Sequence, residues 1–323
     1  MANNYTVLGN ESITLPSDST TNRPASPVAG MTRFNTTTNF IEVYNGTGWV
    51  TRANKQVLVL TSGTTWTVPS GLTTWDVLLI GGGGAGGVGS SGGGGGAGGL
   101  LNWTTFNYNS SYATATYSVG AGGASLFGTT DTTWNDGSNT TFTYAGTTIT
   151  AYGGSGGNGE GQRNTSRTGT FGSGGGGSYG TGSATPGTSG QGYPGGAGSN
   201  QANPWPSSGG GGAGGAGAQG NNPYGPGKGG DGVFIAELGL AVCGGGGGGQ
   251  QGFQTGGVGG LGGGGRGSST YEDGTAANPG YGNGCYLWAE DGQAFGAGGG
   301  GCGSDYCATG AGYQGCVVIR YIL

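Results

Sequence analysis

Large and polar residues alternate along two short stretches near the start of the chain, 31–35 and 40–44, with Thr36, Thr37, Thr38 and Asn39 between them. A period of two marks a strand with one face against a core, and the small polar residues between the stretches read as a turn. A second turn at Asn45-Gly46 leads into Trp49-Val50. The pattern predicts a small antiparallel hairpin with a third arm. Such a meander cannot bury both faces alone, so Phe34, Phe40, Tyr44 and Trp49 are expected to meet copies of the chain or a neighbouring protein. Further on, runs rich in β-branched and aromatic residues predict strands at 57–61, 65–68, 76–80, 113–119, 140–144, 147–152, 233–236, 239–243 and 316–322. Several pass straight into glycine: Ile80 into 81–99, Val119 into 120–123, Tyr152 into 153–159, Cys243 into 244–249. The order predicts two regions, a hairpin region over 1–54 and a domain over 55–323. In the second, strands open and close one scaffold, and glycine-rich excursions leave it and return.

The glycine tracts decide the fold class. Glycine supplies 90 of 323 residues, against an average usage of about 7%. It costs about 1 kcal/mol per residue in a helix relative to alanine, so helices are excluded. Collagen needs an unbroken Gly-X-Y register and much proline. The register holds at Gly211, Gly214, Gly217 and Gly220 but fails at Pro223, and there are 11 prolines in all. Polyproline II geometry remains, with about three residues per turn and no internal hydrogen bonds. Its amides and carbonyls must then pair with neighbouring tracts, and only glycine lets the backbones come close enough. The expected fold is all-β with packed polyglycine II helices and essentially no α-helix; tracts left unpaired would be linkers instead. In Gly-Gly-x runs, the third residue (Ala85, Val88, Ala197) is expected to point outward.

Charge and candidate chemistry narrow the function. Charged residues are 7% of the chain, the net charge is −5, and the nine basic residues form no stripe. Nucleic acid, which needs such a stripe to displace counterions, is therefore not an expected partner. No apolar run nears the roughly 20 residues of a membrane helix, and residues 1–16 carry no export-signal pattern. Five cysteines, Cys243, Cys285, Cys302, Cys307 and Cys316, cannot all pair within one chain; buried thiols and local disulfides both remain open. Gly81-x-Gly83-x-x-Gly86 follows a strand as a dinucleotide fingerprint would, but no helix-forming sequence follows and no acid appears before Asp131. Lys228 is followed by Gly229, so there is no phosphate loop. The chain has no histidine, which removes the usual general base and metal ligand. The acids cluster at Glu272-Asp273 and Glu290-Asp291, with Asp305 beyond, and read as solvated loop residues rather than a glycosidase pair. No enzyme, cofactor or metal is expected.

Two resemblances give these patterns a context. The stretch Asn22-Arg23-Pro24-Ala25-Ser26-Pro27 through Gly30, Arg33-Phe34-Asn35-Thr36 and Tyr44-Asn45-Gly46 to Trp49 resembles the collar hairpin repeated in bacteriophage tail-fibre and other virion proteins. The region beyond resembles the glycine-rich domains of phage tail fibres, in its strand-to-glycine steps and its closing Val317-Val318-Ile319-Arg320-Tyr321. In composition and architecture it is also similar to the receptor-binding adhesins at the tips of T-even-like long tail fibres. These resemblances imply a virion protein on the particle surface, a homotrimer attached through its N-terminal region to other virion proteins. They imply a tail fibre or tip adhesin that binds a host glycan or outer-membrane protein. A head fibre or decoration protein, an ice-binding protein and a polysaccharide depolymerase are the alternatives. Aromatic residues between the tracts are the expected receptor contacts, because rings give large contact area at small entropic cost: Phe171, Tyr179, Tyr193, Trp205, Tyr224, Phe253, Tyr271 and Tyr281. The same rings could instead cap the bundle or pack between subunits. Tyr224 and Trp205 are expected to be the most exposed.

Overall fold

The computed structural model describes residues 15–51, 55–128, 133–162, 165–200, 205–221, 225–251, 255–269, 289–304 and 307–322. The described residues are all-β, and their only helical turns are two short 3-10 turns, Thr20–Asn22 and Glu160–Gln162. The chain divides into two compact units, Met1–Gln56 with Tyr321–Leu323, and Val57–Arg320.

The first unit is a four-stranded sheet in the order β1 (Ser17–Asp18), β2 (Thr32–Asn35), β3 (Phe40–Tyr44), β4 (Trp49–Thr51). The hairpin is the one the alternation predicts, with Phe34 opposite Ile41 and Tyr44 opposite Trp49. Residues 36–39 turn between β2 and β3, and Asn39 takes the positive φ of 58° that closes the turn. Asn45 shapes the second turn, its side-chain oxygen accepting from the amides of Thr47 and Gly48.

The second unit holds two four-stranded sheets and a hairpin. One sheet has the order β5 (Lys55–Leu60), β14 (Cys316–Ile322), β7 (Thr74–Ile80), β8 (Leu100–Asn107). The other runs β11 (Thr147–Ala151), β10 (Thr140–Tyr144), β9 (Thr114–Ser118), β6 (Thr65–Thr67), and β12 (Val233–Ile235) pairs with β13 (Leu240–Val242). β7 and β14 are apolar on consecutive positions because they are buried on both faces. An aromatic cluster forms one core, with Trp75 edge-on to Tyr144 at 4.7 Å, 5.5 Å from Trp66 and stacked at 6.1 Å on Phe106, which meets Phe142 at 5.3 Å. A second core joins Leu78, Ile80, Val318 and Cys316 to Ala97, Ile235, Val242 and Cys243.

From these strands the glycine tracts build a lattice whose core is backbone. Gly81, Gly84 and Gly87 donate to the carbonyls of Gly99, Gly96 and Gly93; Gly82 and Ala85 donate to Ser138 and Asn135; Gly83 and Gly86 donate to Tyr313 and Gly310. These bonds measure 2.8–3.0 Å. Successive residues thus serve successive neighbours, and every third residue returns to the same one, as a helix of about three residues per turn requires. The carbonyls complete the ring. Those of Gly82 and Ala85 accept from Gly154 and Gly157, that of Gly83 from Gly123, and those of Gly84 and Gly87 from Gly299 and Cys302. Three tracts receive and three donate, so this helix sits at the centre of six. The tract 244–249 does the same, donating toward 262–265, 227–230 and 92–95 and accepting from 298–301, 207–210 and 257–260.

The spacing explains the glycine content. A β-carbon added at Gly81 would lie 2.2 Å from the Tyr152 carbonyl oxygen, at Gly82 2.0 Å from that of Ala121, and at Gly83 2.0 Å from that of Ala297. At these glycines no face of the helix has room for a side chain. The Gly-Gly-x expectation fails here for the same reason. Ala85 and Val88 are buried rather than outward, because a helix ringed by six others has no outward side, and Ala197, in another tract, is half-buried.

Candidate functional site

The lattice gives the second unit two unlike ends. Ile80, Leu100, Gln191, Gly212, Val233 and Cys243 mark the end where tracts meet the sheets. At the far end the tracts turn back through residues such as 88–92, 178–180, 220–221 and 303–304. The far-end turns are polar. Glu160 accepts from the Ser90 amide at 3.1 Å and its hydroxyl at 2.7 Å, fixing the turn after the first tract.

Of the aromatic residues expected to contact a receptor, the structure brings together Tyr179 and Trp205. Their ring centroids lie 6.3 Å apart, edge to face, at the far end. Trp205 is half-buried, not the freely exposed ring the flanking sequence suggests. Its φ of 42° is a conformation a bulky residue rarely adopts, and the next residue, Pro206, pairs with Gln250. Gln250 is fully buried, and neither polar atom of its side-chain amide has a hydrogen-bond partner. Tyr193 is 48% exposed but stands at the sheet end, its amide donating to Gly212. Phe171 stands toward the sheet end, beside Gly172, whose amide donates to Gly153, and is half-buried against the Arg167 guanidinium at 4.5 Å. That guanidinium also covers Trp134 at 4.7 Å and is bonded to both carboxylate oxygens of Asp136, so Phe171 serves a structural lock. Tyr224, Phe253, Tyr271 and Tyr281 lie outside the described residues, as does Cys285.

The N-terminal sheet separates its four candidate contacts. Strand register places Arg33, Asn35, Phe40, Glu42, Tyr44 and Trp49 on one face, and Thr32, Phe34, Ile41, Val43 and Val50 on the other. The first face is covered and polar. Glu42 is 1% exposed, bonded to Arg23 at 2.6 Å and to the Asn35 amide at 3.0 Å. The Arg23 guanidinium, then Asn35 and the nearby charge of Arg33, outweigh burial and hold the Glu42 carboxyl below its usual range. The second face is apolar and open, with Ile41 41% and Val50 40% exposed. Phe34 belongs to that face; Phe40, Tyr44 and Trp49 do not. Ile41, Val43 and Val50 are the apolar residues of the open face that a search for aromatic residues passes over, and the strand alternation is the signal for them.

Among the described residues no group of three or more metal-ligating side chains occurs, and no helix is long and apolar enough to cross a membrane. Cys243, Cys302 and Cys316 are buried thiols, and Cys307 is disulfide-bonded. Burial pushes the Cys316 thiol up to about 12, and Cys243 higher still, where Cys316 adds to the effect.

The model of the glycine-rich domain matches residues 59–322. The chain belongs to this glycine-rich domain family. The glycine-rich domain opens within β5 and closes at the last residue of β14, so its limits are two adjacent strands of one sheet. The sheets and the lattice together are therefore the family's unit, and the N-terminal hairpin lies outside it. No curated protein matches the chain.

Proposed function

We propose that this protein is a non-enzymatic virion component, a tail fibre or fibre-tip adhesin that holds a phage particle to its host surface. The observation that carries the reading is the inequality of the two ends of the glycine-rich domain. Sheets close one end, while the other presents turns between rigid, backbone-bonded helices, with the Tyr179–Trp205 pair among them. Binding groups on short turns of a stiff scaffold lose little entropy on contact, which suits adhesion. The open apolar face of the N-terminal sheet fits assembly with copies of the chain, as a homotrimer, and attachment to other virion proteins. The partner at the far end is a host glycan or an outer-membrane protein.

Adsorption competition tests the reading. Purified protein added to host cells should lower adsorption of the parent particle, and the double variant Tyr179→Ala, Trp205→Ala should compete at least about tenfold less well, the effect expected for loss of an aromatic anchor. Undiminished adsorption at saturating protein contradicts the proposal.

A further inference from the structure

At the opposite, sheet-bound end, a groove of about 470 Å³ opens between β8, an edge strand of its sheet, and the β12–β13 hairpin. That volume lies within the roughly 300–1,000 Å³ of small-ligand sites. Its lining combines two rings with planar polar groups. Phe234 is 64% exposed, and its cross-strand neighbour is Ala241, which is too small to cover it. Trp103 is half-buried, with the Arg320 guanidinium 4.0 Å from its ring. Gln191 is fixed at the groove's floor, its amide oxygen accepting from Tyr152 and its amide nitrogen donating to the Thr150 carbonyl. Asn102 accepts the Trp103 amide through Oδ1, and among the described residues its Nδ2 has no acceptor.

Charge selects the ligand. Arg320, beside the groove, is bonded to Asp76 at 2.9 Å and to Glu237 at 2.8 Å. Among the described residues that line the groove there is no cation to receive an anion, and Glu237 would repel one. The groove therefore suits an uncharged molecule with one apolar face and many hydroxyls. Burying the apolar face on Phe234 is favourable in proportion to area. Hydroxyls can both accept from the Asn102 amide and donate to carboxylate or amide oxygens. We infer that this groove is a binding site for a neutral pyranose sugar, separate from the far-end turns and independent of their role.

Saturation-transfer NMR on the full chain, with lactose, maltose, cellobiose and 3′-sialyllactose as probes, tests this. At least one neutral disaccharide should receive saturation. Phe234→Ala should weaken its binding about tenfold or more, and Asn102→Ala should weaken it too; neither residue is in the core, so both variants should keep the parent's spectrum. Tyr179→Ala should bind as the parent does. The inference is overturned if no neutral sugar receives saturation, if Phe234→Ala binds undiminished, or if the sialylated probe binds best. Loss of binding in Tyr179→Ala alone would also overturn it and move the sugar to the far end.

Discussion

Gly84 shows what a single residue contributes to this protein. Its amide donates to Gly96, its carbonyl accepts from Gly299, and a β-carbon there would meet the Ser155 carbonyl oxygen at 2.2 Å. Gly215, at the margin of the lattice, would place the same methyl 3.7 Å from its nearest neighbour. Gly84→Ala should therefore destabilise by about 3 kcal/mol, at the upper end for overpacked sites. Gly215→Ala should be neutral or stabilising by up to about 1 kcal/mol, since alanine restricts the unfolded chain. Urea denaturation of both variants checks the contrast, and equal effects would deny that close backbone approach sets the glycine content. The cysteines make a second test. Cys316, with its thiol raised to about 12, and the equally buried Cys243 should resist iodoacetamide at pH 8, because neither ionises nor meets solvent. Peptide mapping should find both labelled only after denaturation.

Among elements, the N-terminal sheet is the least conventional, with ion pairs beneath one face and aliphatic residues open on the other. Ile41→Glu places a charge at the centre of the open face and should shift the protein toward monomer in light scattering; an unchanged mass would show that this face is not the contact. The covered face carries a pH dependence. Glu42 has its folded pKa below the ordinary 4.5, so its stabilisation is complete above 4.5 and is lost as pH falls through the depressed value. Native NMR signals of β2–β4 should fade on that acid side, and Glu42→Gln should remove the dependence.

Much of this was legible because alternation and β-branching are local. The limits of β3, β10 and β14 follow from sequence alone. β8 is not legible in the sequence because it leaves a glycine tract directly, has only Phe106 buried, and opposes β7 across a bulge between Val77 and Leu79. Its period is broken where a strand pattern would have to show. The positions of aromatic residues were equally legible, but not the end of the bundle each would occupy. That depends on the direction of every preceding tract, and so Phe171 and Tyr193 stand far from Tyr179 and Trp205.

For the second unit as a whole, stability comes from two kinds of core. The sheets bury rings and aliphatic side chains in the usual way, while residues 81–99 are buried throughout with scarcely any side chain to bury. In that stretch the amides and carbonyls take the place of a hydrophobic core, successive residues pairing with different neighbouring tracts. NMR correlation through hydrogen bonds tests it most directly. The amides of Gly81, Gly84 and Gly87 should couple to the carbonyl carbons of Gly99, Gly96 and Gly93, and those of Gly82 and Ala85 to Ser138 and Asn135. Absence of these couplings, with glycine amides exchanging at the rates of a free chain, would contradict the account.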